Sequence, residues 1–112
     1  MTRNKDDRYY AQKLLKEVDR LLSFSKRLDL SDPEGNEEAF YAMNFCVVRI
    51  RELLVSLSRD FVEHRLGVNL DDFIDFRNLL VHEYGKTDYS SYEDFIRKDI
   101  VNLKKRLEDY LN

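Results

Sequence analysis

Only four residues in this 112-residue chain, Pro33, Gly35, Gly67 and Gly85, are built to interrupt a helix. The segments between them carry apolar residues at helical spacing. Leu14, Leu15, Val18, Leu21, Leu22 and Leu28 recur at three- and four-residue steps, which makes one apolar stripe on a helix from about Asp6 to Leu28. A second helix is expected from about Glu37 to Arg65, with Met43, Val47, Ile50, Leu54, Leu57 and Phe61 in register. Asn36 can cap it, and Glu37 and Glu38 suit the positive end of its dipole. His64 and Arg65 fall in the last turn before Gly67, a candidate left-handed cap, so His64 has a sufficient structural reason to be there.

A third helix is expected from near Leu70 to Tyr84, capped by Asn69 with Asp72 three residues on, and stopped by Gly85. A fourth runs from about Ser91 to Leu111, with Ser90 and Glu93 in capping-box spacing and a stripe of Phe95, Ile96, Ile100, Leu103, Leu107 and Tyr110. The connections are the turn-rich stretch from Asp29 to Asn36 and the loop Lys86 to Tyr89. An all-α, up-down four-helix bundle filling one domain, residues 1–112, is the expected architecture.

The remaining composition narrows the class. With 43% apolar residues the chain can bury a core without metal or disulfides. The single Cys46 sits in an apolar run and has no intramolecular partner, which points to a buried thiol and a reducing compartment. The charged N-terminus leads into no signal-type segment, and no apolar run is long enough for a bilayer, so a cytoplasmic protein with no membrane partner is expected. A net charge of -3 excludes a global basic field but not a local basic cleft. Two distant histidines and one cysteine offer no metal-ligand spacing, and no phosphate-binding glycine loop occurs, so no cofactor is expected.

The chemistry concentrates in Arg77-Asn78-Leu79-Leu80-Val81-His82-Glu83-Tyr84. At about 100° per residue, Phe73, Ile74, Phe76, Leu80, Val81 and Tyr84 share an apolar face centred near Arg77, while Asn78 and His82 lie one turn apart on the other side. A guanidinium on an apolar face needs a carboxylate, backbone carbonyls or an anion, and Glu52 is one candidate partner. Arg51 in the second helix also lies on an apolar face, near Val47 and Leu54, so embedded arginines here can also simply snorkel. Likewise His82 near a helix end can serve the dipole, and Tyr84 can be core with a wet hydroxyl.

Arg77-Asn78-x-x-x-His82-x-Tyr84 resembles the signature of HEPN-domain ribonucleases, specifically the HepT-like toxins, with Phe76 and Gly85 as fitting surroundings. Upstream, Arg49-Ile50-Arg51-Glu52 is similar to a family segment reading Ile-Gly-Glu-Ala, with Arg51 in place of the Gly and Leu53 in place of the Ala. The resemblance implies a metal-independent endoribonuclease acting as the toxin of a two-gene pair. Its partner would be a small nucleotidyltransferase antitoxin that can attach AMP to Tyr84. It also implies Arg77 and His82 as catalytic residues, with Asn78 orienting phosphate or His82.

Arg77 and His82 lie about 140° apart on an ideal helix, so one chain supplies half of a site. A homodimer with third helices facing across a twofold axis would supply two of each, and Leu79 on the polar side suits such a surface. The competing readings are a non-catalytic helical binding partner of a nucleotidyltransferase, and an oligomerising bundle with no ligand.

Overall fold

The computed structural model describes residues 3–27, 33–71, 73 and 89–112. Helix α1 spans Arg3–Ser25, α2 Glu37–Ser56, α3 Tyr89–Asp94 and α4 Val101–Leu111. A 3-10 turn, Pro33–Asn36, precedes α2, and two π-helical turns occupy Phe61–Arg65 and Phe95–Ile100. Among the described residues there is no strand, and the fold is all-α.

The stripes read from the sequence form the core. Leu14, Val18 and Leu21 of α1 are fully buried against Met43, Val47, Ile50 and Leu54 of α2, with Leu15 and Leu22 at the edge of the same cluster. Ile100, Leu103 and Leu107 close the cluster from the C-terminal segment. Polar contacts fix the directions. Asp7 near the start of α1 meets Ser58 just past α2, and Arg8 donates to the carbonyl of Leu111 at the end of α4. The first helix is therefore antiparallel to both α2 and the C-terminal segment. Tyr92 against Asn44 at one end and Tyr110 against Phe61 at the other make those two parallel. These directions are those of an up-down bundle.

The start of α2 follows its sequence signals. The Asn36 side chain accepts from the amide of Ala39 at 3.1 Å, and Glu37 and Glu38 occupy the first turn. Helix α1 stops earlier than expected, at Ser25. The Ser25 hydroxyl donates to the carbonyl of Leu22 at 2.7 Å, and the Arg27 amide turns back to the carbonyl of Phe24. Leu28 lies outside the described residues.

The second helix differs from expectation more substantially. It does not run unbroken to Arg65: Leu57 is extended, at φ -79° and ψ 160°, and helical structure resumes only at Arg59. The cause is Asp7, whose two carboxylate oxygens take the Ser58 amide and hydroxyl at 2.9 Å each. Ser58 in turn offers its hydroxyl oxygen to the amide of Phe61. A break that satisfies its own backbone groups is tolerated in the interior. His64 lies in the following turn, exposed, with Nδ1 2.9 Å from Asp60. Gly67 adopts φ 67° as the left-handed cap, where any Cβ would be strained and would sit 3.3 Å from the Arg106 guanidinium.

The fourth helix already includes Tyr89, ahead of the expected Ser91, and runs through to Leu111, because Asp94 and Val101 on either side of the π turn keep helical dihedrals. No helix among the described residues is long and apolar enough to cross a membrane.

Candidate functional site

Arg77, Asn78, His82 and Tyr84 lie outside the described residues, as do Phe76 and Gly85. The scaffold on either side of them is described.

On the upstream side the chain turns at Gly67, and Asn69 starts a new helical turn. Its side-chain oxygen accepts from the Asp71 amide at 3.1 Å and its carbonyl from the Phe73 amide at 3.2 Å. Asn69 is thus the cap expected from its position before Leu70. Phe73, the first member of the apolar face that the sequence centres on Arg77, is buried. Its ring meets Phe95 edge-on at 5.3 Å between centroids.

On the downstream side Tyr92 is fully buried. Its hydroxyl donates to Asn44 Oδ1 at 3.0 Å, and its ring lies edge-on to Phe40 at 5.9 Å. Burial pushes the Tyr92 phenol well above its ordinary range, and the nearby Cys46 adds to the shift. Residues 73 and 92 therefore bracket the motif with two aromatic anchors, both seated on described core. The periodicity of the fourth helix identified Phe95 and Ile96 but missed Tyr92. Tyr92 lies ahead of the stripe that starts at Phe95, and the partner that lets its hydroxyl be buried, Asn44, comes from α2.

A cavity of about 410 Å³ opens beside the upstream anchor. Phe73, Phe95 and Leu103 supply its apolar wall, and Asn69, Asp99 and Asn102 its polar groups. No cation is among the described residues lining it. A larger cleft of about 720 Å³ adjoins Asp7, Ser58, Asp60 and His64. There Asp7 and Ser58 are occupied with each other and His64 with Asp60, so the three residue types do not form a nucleophilic relay.

Two residues within the family-like upstream segment behave differently. Glu52 is exposed and sits 3.4 Å from Arg49. Arg51 is half-buried, and its buried Nε has no hydrogen-bond partner among the described residues. Cys46 is buried, and burial, followed by the neighbouring Glu17, raises its thiol pKa while Arg20 opposes. Such a thiol is a core residue and not a nucleophile. Among the described residues no three His, Cys, Asp or Glu side chains are grouped to hold a metal ion.

Residues 14–110 match the family described as Ribonuclease HepT-like. The chain belongs to the HepT-like ribonuclease family. It is 26% identical over 108 residues to a Methanocaldococcus jannaschii protein named "Putative RNase MJ1380", covering 93% of this chain and 95% of the relative. Two further proteins of that organism, named "Putative RNase MJ0125" and "Putative RNase MJ1216", are 23% and 22% identical. Each comparison covers 93% of this chain, with 90% and 86% of the respective relatives. No solved structure matches the chain. Family membership and the relatives' names support ribonuclease activity, and the match spans the Arg77 to Tyr84 segment and both of its anchors.

Proposed function

We propose that the protein is a metal-independent endoribonuclease of the toxin type, with Arg77 and His82 as its catalytic residues. The observation that carries this reading is the spacing Arg77-x4-His82-x-Tyr84 inside a chain whose residues 14–110 match the HepT-like ribonucleases.

Cleavage without metal uses the 2′-hydroxyl of RNA as internal nucleophile. The 2′-oxygen forms a bond to phosphorus, the bond from phosphorus to the 5′-oxygen breaks, and a cyclic phosphate is left. One group must take the 2′-proton, another must protonate the leaving oxygen, and a cation must meet the charge on phosphorus. His82 suits proton transfer, since imidazole titrates near pH 6.5 unperturbed. Arg77 suits the phosphorane because its charge is permanent and its donors form a planar fork. Asn78 orients phosphate or His82. One chain has a single histidine in the motif, so the second proton-transfer group comes from a second copy at a twofold axis.

Tyr84 is the point of control in this reading. A nucleotidyltransferase antitoxin transfers AMP from ATP to its phenol oxygen, with loss of the phenol proton and release of pyrophosphate, placing bulk and negative charge where the RNA phosphate must sit.

Incubating the purified chain with RNA in EDTA tests the core of the proposal. Cleavage that persists in chelator and yields cyclic phosphate ends is expected. An inert protein would leave the non-catalytic binding partner as the better reading.

A further inference from the structure

The outer face of α1 carries a row of cations, although the chain as a whole has a net charge of -3. Tyr9, Lys13, Lys16, Arg20 and Phe24 follow at steps of four, three, four and four residues, which keeps them on one side of the helix. Arg27, three residues on and just past the end of α1, continues the row. From Tyr9 to Phe24 it runs about 22 Å at 1.5 Å per residue. All four cations are exposed, Tyr9 is 53% exposed, and Phe24 is half-buried.

Two details set this row apart from the wet side of an ordinary amphipathic helix. Its charge is largely uncancelled. Among the described residues, Lys13, Lys16 and Arg27 have no carboxylate partner. The carboxylates that flank its centre are held by cations, Glu17 by Arg20 at 2.7 Å and Asp19 by Lys104 of α4 at 2.9 Å. The second detail is the placing of the aromatics. Lys13 Nζ lies 5.1 Å from the centroid of the Tyr9 ring, and the Arg27 guanidinium lies 5.2 Å from that of Phe24.

From these observations we infer that the α1 row is a track that holds single-stranded RNA. Cations in line meet successive phosphates, and planar groups among them, the Tyr9 ring and the Arg27 guanidinium, stack on bases. Its length suits a short single-strand site of about four nucleotides. A basic helix lying on an anionic membrane needs a free apolar face, and that face of α1, with Leu14, Val18 and Leu21, is in the core. An acidic protein would meet the cations, but interleaved planar groups add nothing to the recognition of charge alone.

The row also has a direction. At its Arg27 end, Asn36 at the start of α2 donates to the Arg27 carbonyl at 3.4 Å. Tyr92 is seated on Phe40 and Asn44, early in the same helix. A strand on the track therefore reaches the end of the bundle that holds Tyr92. This deepens the ribonuclease reading by naming a surface that grips the substrate away from the reacting bonds, and it rests on that reading for the choice of RNA.

Its test uses 2′-O-methyl RNA, which binds but has no 2′-hydroxyl to attack, so that cleavage cannot obscure binding. Anisotropy of a labelled oligonucleotide is read against the whole chain across a salt series. The variant Lys13→Ala, Lys16→Ala, Arg27→Ala is expected to bind roughly tenfold more weakly, with the slope of log affinity against log salt smaller by about 2, at roughly 0.7 per lost phosphate contact. Alanine favours the helix, and circular dichroism should be unchanged. Tyr9→Ala is expected to weaken binding roughly tenfold at an unchanged slope, because stacking releases no counterions. A control of equal charge, Arg59→Ala, Lys98→Ala, Lys105→Ala, at exposed positions outside α1, is expected to keep the wild-type slope. Wild-type binding by the row variant, equal losses in row and control variants, or Tyr9→Ala binding as tightly as wild type would each overturn the inference. Displacement by polyglutamate as readily as by unlabelled RNA would overturn it too, and would give the row to an acidic protein. A chain that binds through the row yet leaves unmodified RNA intact in EDTA would remove the ribonuclease reading alone. Cleavage by the row variant at wild-type KM would remove the track alone, since loss of a remote grip raises KM and spares kcat.

Discussion

Asp7 and Ser58 are joined by two hydrogen bonds of 2.9 Å although they lie 51 positions apart. Asp7 is buried, and its carboxylate replaces the helical partner that the Ser58 amide forgoes where α2 ends. The contact ties the start of α1 to the break after α2, and it is the reason that helix does not continue.

Replacing Asp7 by Ala should therefore cost about 1–3 kcal/mol, the range for leaving buried hydrogen-bonding groups unsatisfied. Ser58→Ala removes one of the two bonds and should cost less. The double variant should cost less than the sum of the two, since both report one contact. Urea unfolding of the four proteins measures this. A strictly additive result would mean the two residues act separately.

Phe73 and Phe95 should each cost about 3–5 kcal/mol when truncated to Ala, as buried aromatic side chains do. Their edge-on contact adds a coupling of about 0.5–1.5 kcal/mol that a double-mutant cycle would read. Because Phe73 is a core residue four positions before Arg77 in the sequence, Phe73→Leu should lower ribonuclease activity more than its stability change explains. Activity falling only in proportion to the folded fraction would remove that link.

Alkaline pH should unfold the protein through Tyr92. Burial raises its pKa in the folded chain, so the fold favours the neutral phenol. The stabilisation is complete below the unfolded value, near 10, and declines as pH rises above it, because only the unfolded chain can then release the proton. The slope from one such group approaches about 1.4 kcal/mol per pH unit. Cys46 contributes with the same sign from its lower unfolded value of 9.0. In guanidinium titrations from pH 8 to 11, Tyr92→Phe should start less stable, having lost the hydrogen bond to Asn44, and should fall less steeply above pH 10. Identical slopes for the two proteins would contradict this.

The Cys46 thiol should resist a neutral disulfide reagent at pH 8 in the folded chain and react fully once the chain is denatured. It is buried, and its pKa is raised by that burial first and by Glu17 second. Prompt labelling of the native protein would show that the α1–α2 contact opens readily.

For the proposed chemistry, His82→Ala should reduce RNA cleavage by about 10²–10⁴, the usual contribution of a positioned acid or base. His64→Ala should leave it unchanged, since that imidazole is exposed and engaged with Asp60. Equal losses in both variants would detach His82 from the reaction.

What the sequence made legible was local. Asn36 and Asn69 cap as their spacing requires, Gly67 takes the left-handed conformation, and Leu14, Val18, Met43, Val47 and Ile50 are core. These follow from properties of a few neighbouring residues. The break at Leu57 and Ser58 was not legible, because its acceptor comes from Asp7 in another helix and no periodicity encodes that. Burial of Tyr92 was hidden for the same reason, its partner Asn44 being supplied by α2. The proposed site residues Arg77, Asn78, His82 and Tyr84 rest on type, spacing and resemblance and lie outside the described residues, while Phe73 and Tyr92 on either side are buried.

The π turn at Phe95–Ile100 sets a phase between the two halves of the last helix. Downstream of it Leu103 and Leu107 are seated in the core and Lys104 reaches Asp19 of α1; upstream Tyr92 reaches Asn44 of α2. Wider hydrogen-bond spacing lets one rod serve both appointments. A π turn winds one extra residue into about the same rotation, so forcing these six residues into α spacing would swing the upstream half by about 100° and carry Tyr92 away from Asn44 with every downstream contact intact. The wider winding of this turn is therefore as much a part of how Tyr92 reaches α2 as any side chain.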